Sequence, residues 1–574
     1  MTGRDGNCDR SGRRGWRVAG SLAGRRGQSP VSMESGRMFA ETVRVAKESH
    51  PKTTTKTIKY GTAGFRTKAE ELDFVMYRMG ILAAMRSRDT RAAIGVMITA
   101  SHNPVPDNGV KLVDPQGEML APAWEAHATT LVNATDDGIA AALEAITSAA
   151  KINTGNAALV IVGRDTRPSS NSLRDAVLAG VAAAGGEVRD LGVVSTPVLH
   201  YMVTCHNDGG EYGEPTIEGY YKKISQAFVT LRSGGASNGN YEPVILFDGA
   251  NGVGALAMEE FTKHLQDSLK VTMYNKGEGI LNHLCGADYV KVQQKWPEGV
   301  PKTQNVRCVS VDGDADRVMY SFVDSSGQYY MLDGDKIATL VAGYLKELVA
   351  GSGLKLNLGL VQTAYANGAS TAYITEKLGV PVACVKTGVK HLHHAAQDFD
   401  IGVYFEANGH GTVIFSNSAR QAIKEAAKAK NAQAEKLAQV LDVINETVGD
   451  AISDMLLVET VLHARGWSAL DWNAAYTDLP NRQMKVMVAD RAVITTTDAE
   501  RVCVTPAGLQ DSINKIVANF PKGRSFVRPS GTEDVVRVYA EASTQENTDS
   551  LAVQVACAVY EQAGGVGDRP KPPC

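Results

Sequence analysis

The apolar positions of this chain fall into short runs separated by helix-length segments. The clearest case begins at residues 158–162 (Ala-Leu-Val-Ile-Val) and passes through a polar turn at 163–170. It continues as a helical stretch to Ala184 and breaks at Gly185-Gly186 before a second extended segment at 187–190. An apolar run bounded by turn residues, then a helical stretch, then another extended run predicts one βαβ unit. The rhythm recurs at 244–247 with a helix after Gly254, and at 358–362 with a helix before 381–385. Its repetition predicts parallel sheets flanked by helices.

Residues 417–448 are rich in Ala, Lys, Glu and Gln and carry no glycine until Gly449, which predicts one unbroken helix leading into a last domain. From Ala451 onward strand-like and helical pieces mix, an α+β pattern. The Gly-Ser-Asn stretch at 233–240 reads as a surface loop, and the tail after Gly564 as unstructured. At roughly 150 residues per domain, the 574 residues predict three or four domains. We expect a disordered extension over 1–45 and domains over 50–200, 201–330, 331–448 and 449–574.

Composition narrows the class. Hydrophobic residues make up 44% and charged residues 21%, so most of the chain should pack. A net charge of −4 gives no overall basic field for nucleic acid or an anionic membrane. No apolar run reaches the roughly 18 residues that a membrane-spanning helix needs. Eight cysteines without a C-x-x-C pair fit a reducing, cytoplasmic setting better than a disulfide framework or a structural zinc site. Residues 1–32 hold seven Arg and seven Gly against Asp5 and Asp9. They are open to two readings, a spoiled mitochondrial presequence or an extension ahead of a start at Met33.

Four constellations carry candidate chemistry. Thr99-Ala100-Ser101-His102-Asn103-Pro104 follows the apolar run 94–98, which makes Ser101 a nucleophile on an exposed loop or a turn cap. Asp312, Asp314 and Asp316 alternate after the apolar run 309–311 and point three hard oxygen donors to one side, as Mg²⁺ or Ca²⁺ requires. An EF-hand is excluded because Arg317 and Val323 stand where that loop needs Gly and Glu. Arg528-Pro529-Ser530-Gly531-Thr532, with Arg537 beyond, offers backbone N–H groups, two hydroxyls and two guanidinium forks for a phosphate. Glu406-Ala407-Asn408 on a glycine-flanked loop suits vicinal sugar hydroxyls. His391, His393, His394 and His410 lack the companions of a zinc site and read as hydrogen-bonding histidines. Together the four loops suggest phosphoryl transfer on a phosphosugar. With no Walker A loop and no G-x-G-x-x-G cradle, the donor should be the enzyme or the substrate itself.

These motifs, with Tyr60-Gly61-Thr62-Ala63-Gly64-Phe65-Arg66 ahead of them, resemble the α-D-phosphohexomutase superfamily over nearly the whole chain. The resemblance implies an α/β, four-domain monomer around a central cleft, with three related mixed α/β domains and a smaller α+β C-terminal domain. It implies a phosphoserine at Ser101 and Mg²⁺ held by Ser101, Asp312, Asp314 and Asp316. It further implies sugar contacts from Glu406, Ala407 and Asn408, a clamp of Arg528 to Thr532 with Arg537, and Lys111 and Arg66 as acid–base residues. Lys390 is a further cleft candidate. The Glu-Ala-Asn-Gly-His loop differs from the Gly-Glu-x-Ser-Gly-His type of glucose and mannose mutases, which supports an acetamido sugar. The implied reaction interconverts N-acetylglucosamine 6-phosphate and 1-phosphate through a 1,6-bisphosphate, supplying UDP-N-acetylglucosamine synthesis. A metal-dependent sugar-phosphate phosphatase and a non-catalytic sugar-phosphate binding protein remain the competing readings.

Overall fold

A computed structural model describes residues 30–233, 239–530 and 534–571. Gly531 and Thr532 of the expected clamp, and most of the Gly-Ser-Asn loop, lie outside the described residues. Three five- or four-stranded sheets follow one another along the chain. The first comprises β1 (Phe65–Lys68), β2 (Ile94–Ile98), β3 (Asp107–Val113), β4 (Leu159–Arg164) and β5 (Glu187–Val193), in the order β1-β3-β2-β4-β5. The second comprises β6 (Val244–Asp248), β7 (Lys270–Tyr274), β8 (Arg307–Val311), β9 (Val318–Val323) and β10 (Tyr329–Leu332), in the order β10-β9-β8-β6-β7. The third comprises β11 (Leu358–Thr363), β12 (Val382–Val385), β13 (Ile401–Phe405) and β14 (Gly411–Phe415), in the order β12-β11-β13-β14.

Each sheet has a parallel centre, and in each one a parallel strand turns straight back into an antiparallel neighbour: β2 into β3, β8 into β9, β13 into β14. The serine, aspartate and sugar loops are these three returns. The C-terminal sheet is wholly antiparallel. It contains β15 (Asn481–Met487), β18 (Arg524–Pro529) and β19 (Val535–Glu541), with β16 (Thr495–Thr497) and β17 (Val502–Thr505) as a separate hairpin. The Arg528 loop is the β18–β19 return. Central strands such as β2, β8 and β13 are buried along their length, as expected of apolar runs covered by helices on both faces.

Three expectations are corrected. Of the expected disordered extension over 1–45, residues 1–29 lie outside the described residues, and the rest belongs to a helix, Pro30–Ser49, with Phe39, Thr42 and Ala46 buried at helical spacing against the first domain. The stretch 417–448 is not one helix but two, Asn417–Lys428 and Ala432–Val443. Lys430 takes a left-handed φ of 64°. Asn431 then accepts the N–H groups of Gln433 and Ala434, which opens a new helix, a cap that outweighs the helix propensity around it. Helix Ala451–Arg465, expected in the last domain, packs on helix Gly334–Ser352 and on β9 and joins their core, whereas the C-terminal core starts at Val486. Among the described residues no helix is long and apolar enough to cross a membrane, and the six described cysteines are all unpaired.

Candidate active site

The β2–β3 return presents Ser101 with a left-handed φ of 51°. A non-glycine residue in that region is costly and persists where its surroundings enforce it. Here they do. Arg167, fully buried at the end of β4, donates from its guanidinium to the carbonyls of Ser101, Asn103, Pro104 and Asp107 at 2.7–2.9 Å and to the Asp165 carboxylate at 2.9 Å. Asn282 donates to the Ser101 and Asn103 carbonyls from the second sheet's side. The Thr99 hydroxyl receives the Ser101 N–H at 2.9 Å and donates to Asp165 at 2.8 Å.

The β8–β9 return meets this loop from the opposite side. Ser101 Oγ donates to Asp312 Oδ2 at 2.6 Å and lies 3.5 Å from Asp316 Oδ1. A Cβ on Gly313 would stand 2.6 Å from the Ser101 carbonyl oxygen, so only glycine lets the loops approach this closely. Asp312, Asp314 and Asp316 are buried, and one carboxylate oxygen of each lies within 4.8 Å of the others. Burial, together with repulsion from Asp316 and Asp314, holds Asp312 well above the usual carboxylate range. Burial pushes Asp316 the same way but is outweighed by Lys111, His410 and Arg317, so this carboxyl lies well below that range. Lys111 Nζ sits 3.1 Å from Asp316 and 3.4 Å from Asp314. Asp314 Oδ2 takes the Thr196 hydroxyl at 2.7 Å, while its Oδ1 is buried without a hydrogen-bond partner. Three mutually repelling hard donors with one oxygen left over fit a hard divalent cation.

The sugar loop is built on Gly409, and its Glu406 accepts the Asn408 amide at 3.2 Å and the Gly388 N–H at 3.3 Å. Arg528 and Arg537 face each other across the β18–β19 register. Arg528 Nε donates to the Tyr365 hydroxyl at 3.2 Å, and Ser530 closes the described part of its loop by donating its N–H to Val535. One cavity of about 540 Å³ joins these parts. Arg66, His102, Lys111, Asp316, Glu406, Ala407, Asn408, Arg528 and Arg537 all line it. Ser101 is fully buried rather than exposed as expected, and it does not line the cavity, but its Oγ lies 3.5 Å from Asp316, which does; Pro529 and Ser530 lie beside Arg528.

Three family models match the chain. Phosphoacetylglucosamine mutase AMG1, domain III, covers residues 333–467. Phosphoglucomutase/phosphomannomutase alpha/beta/alpha domain I covers 81–138 and 128–212, and the C-terminal domain covers 483–558. The phosphoacetylglucosamine mutase of Sus scrofa is 56% identical over 529 residues, which span 91% of this chain and 98% of that one. The chain belongs to the phosphoacetylglucosamine mutase family. A solved structure of the family's Aspergillus fumigatus member, in complex with GlcNAc-6P and magnesium, superposes with a TM-score of 0.87 at 45% identity, covering 92% of this chain and 99% of that one. A serine-to-alanine variant of the same protein, in complex with glucose 1,6-bisphosphate, superposes equally well. The domain III match ends at 467, in line with helix Ala451–Arg465 packing into the third unit.

Several residues that hold this family's site together were missed from sequence. Asp165 and Arg167 sit in the turn after β4, a strand-end position like those singled out, but Arg167 bonds backbone carbonyls far along the chain and Asp165 accepts from the distant Thr99 hydroxyl. His200 donates Nδ1–H to the Gly117 carbonyl at 2.6 Å, and burial lowers its pKa to about 4. Burial and the charges of Arg317 and Arg66 lower His102 to about 2, so both rings are neutral near pH 7. Among the described residues the acidic trio is the one group of three metal-binding side chains close enough to share an ion. His393 instead bonds the Tyr404 hydroxyl at 3.2 Å, and Lys390 pairs with Glu125.

Proposed function

We propose that this chain interconverts N-acetylglucosamine 6-phosphate and N-acetylglucosamine 1-phosphate, with Ser101 carrying the phosphoryl group in the resting enzyme. The observation that carries this reading is the Ser101 hydroxyl, 2.6 Å from Asp312 and 3.5 Å from Asp316, which lines one cavity with a two-arginine clamp. Asp312, Asp314 and Asp316 are the residues that would hold Mg²⁺, together with an oxygen on Ser101. Bound there, the cation offsets charge on the moving phosphoryl group. O1 of the 6-phosphate attacks phosphorus and the bond to Ser101 Oγ breaks. The resulting 1,6-bisphosphate turns end for end, and the original 6-phosphate returns to Ser101, which releases the 1-phosphate.

Each residue has a part in this scheme. Lys111, ion-paired with Asp316 and Asp314, hands a proton to the departing Ser101 oxygen and receives that of the attacking sugar hydroxyl, and the exchange reverses in the second transfer. Arg66, whose pKa burial lowers, still keeps its charge near pH 7 and steadies the anionic transfer from the same wall. Glu406, Ala407 and Asn408 hold the sugar, while Arg528, the loop through Thr532, and Arg537 hold whichever phosphate is not reacting. A phosphatase, which passes the group to water, has no use for such a clamp across the cavity. We take the chain to act as a monomer whose own four loops complete the site, in a cytoplasmic setting where its described cysteines stay unpaired.

The test is intact mass after incubation with either sugar phosphate. A mass about 80 Da above that of the unmodified chain, localised to Ser101 and already present in the resting enzyme, is expected. In Ser101→Ala that added mass should be absent and interconversion should fall on the order of 10⁴-fold or more. Turnover of that variant at the parent's rate would end the covalent reading.

A further inference from the structure

The turn at residues 386–390 ties separate parts of the chain together at the cavity rim. On one side Lys390 Nζ donates to both oxygens of Glu125, at 3.0 and 2.9 Å, reaching the helix Pro122–Asn133 beside the first sheet. In the middle Gly388, at a φ of 126° that only glycine readily adopts, gives its N–H to Glu406 of the sugar loop. On the other side Glu500 reaches in from the tip of the β16–β17 hairpin. Its Oε2 accepts the Thr387 N–H at 3.0 Å and the Thr387 hydroxyl at 2.5 Å, while Oε1 accepts from Arg528 Nη1 at 3.4 Å.

A single carboxylate therefore joins the third sheet's rim to the phosphate clamp. The tip that carries it is an expensive shape, because Asp498, Ala499 and Glu500 all have left-handed φ values of 50°, 54° and 69° without a glycine among them. The Glu500 side chain is 14% exposed and that of Arg528 17%, so the pair is largely screened from water and feels its charge more strongly than a surface pair would. With Nε on Tyr365 and Nη1 on Glu500, the guanidinium plane is fixed from two directions, and its remaining N–H groups are left for a phosphate.

We infer that Glu500 is a positioning residue: it orients Arg528 and, through Thr387, holds the C-terminal sheet closed on the sugar-binding sheet while the bisphosphate turns. This rests on the function proposed above. Once Ser101 has given up its phosphoryl group, an escaping 1,6-bisphosphate leaves behind a free serine hydroxyl. That enzyme works again only when a bisphosphate rebinds and returns one phosphoryl group to Ser101. A weakened closure therefore shows as escape rather than as slower chemistry.

The experiment follows Glu500→Ala, Glu500→Gln and Thr387→Val during turnover. It reads the phosphorylated fraction of Ser101 by intact mass and activity with and without added glucose 1,6-bisphosphate. For Glu500→Ala we expect about tenfold greater dependence on the added bisphosphate and a falling phosphorylated fraction. Glu500→Gln, which keeps shape but loses charge, and Thr387→Val should show the same effect more weakly. If Glu500→Ala fails to fold, the other two variants carry the test. Variants with the parent's phosphorylated fraction and bisphosphate dependence would overturn the inference, and so would a loss of activity that bisphosphate does not restore. A parent enzyme that never carries phosphate on Ser101 would instead overturn the proposed function.

Discussion

The two ends of the cavity are built to different standards. At the reacting end Ser101 and the three aspartates are at most 2% exposed, and Arg167 gives four of its five side-chain hydrogen bonds to carbonyls of the serine loop. At the far end the contacts of Arg528 to described residues are longer, to Tyr365 at 3.2 Å and Glu500 at 3.4 Å. The difference follows from what each end must do. In-line phosphoryl transfer tolerates little misplacement of the attacking and leaving oxygens, so that geometry is fixed in advance. On the function proposed above, the clamp accepts two different phosphates in turn and lets go between them, and a lighter hold serves that purpose. Closure by contacts between sheets, rather than burial within one, supplies the grip there.

The largest break in this contrast should come from Arg167→Met, which fills similar space without the guanidinium. The Asp165 carboxylate and four loop carbonyls would lose a buried donor. Removing one partner of a buried pair costs about 3–5 kcal/mol. For a unit of this size that predicts a fall of roughly 10 °C in the unfolding midpoint of the first domain. Phosphorylation of Ser101 should be lost with it even below that temperature. Scanning calorimetry checks the first part and intact mass the second. A variant as stable as the parent would mean that the serine loop holds its shape by other bonds.

Next in size is a pH effect confined to the reacting end. His200 is neutral in the fold, with its pKa lowered from 6.5 to about 4 by burial. Below pH 6.5 the unfolded chain takes up a proton at this ring that the folded chain refuses. The group's contribution is therefore whole above about 6.5 and is lost progressively as pH falls toward 4, up to about 3 kcal/mol. His200→Gln, whose amide can still donate to the Gly117 carbonyl, should flatten this part of the acid-sensitivity curve. Urea unfolding of parent and variant at pH 7.5 and 4.5 measures it, and equal slopes would show that the ring does not titrate as its burial requires.

How much of this could be read in the sequence follows the same division. The serine and aspartate loops were legible because each stands directly after an apolar run, where a strand must end, and because their residue types are unusual for plain surface. The return of each strand into an antiparallel neighbour was not, since nothing local in 312–317 or 406–410 fixes the direction of the next strand. Arg167 was hidden because its partners lie about 60 residues away as backbone carbonyls, which have no signature in sequence, and Asp165 because its distant partner is the hydroxyl of Thr99, 66 residues away. Glu500 was hidden in the same way, for it bonds Thr387 at a separation of 113 residues. The helix Pro30–Ser49 did leave a signal, the spacing of Phe39, Thr42 and Ala46, but the arginine- and glycine-rich residues before it obscured it. The break at 429–431 was legible too, because Asn431 is a strong helix cap placed in a run of strong helix formers.

The smallest expected effect, and the one that separates the two ends most cleanly, is that of Arg528→Lys. Lysine keeps the positive charge but loses the planar fork, so it can no longer donate to Tyr365 and Glu500 together while presenting a paired face to a phosphate. The group it holds is remote from the bond being broken and is bound in the ground state and the transition state alike. Loss of such uniform binding raises KM and leaves kcat nearly alone. We expect KM for N-acetylglucosamine 6-phosphate to rise about tenfold, near 1.4 kcal/mol, with kcat within about threefold of the parent. The resting variant should carry phosphate on Ser101 as the parent does, and should lose it during turnover only as far as the weakened hold on Glu500 lets the bisphosphate escape. Steady-state kinetics alongside intact mass decides the matter. If kcat fell as far as kcat/KM, Arg528 would be acting in the transfer step itself, and the division between a fixed reacting end and a lightly held clamp would fail.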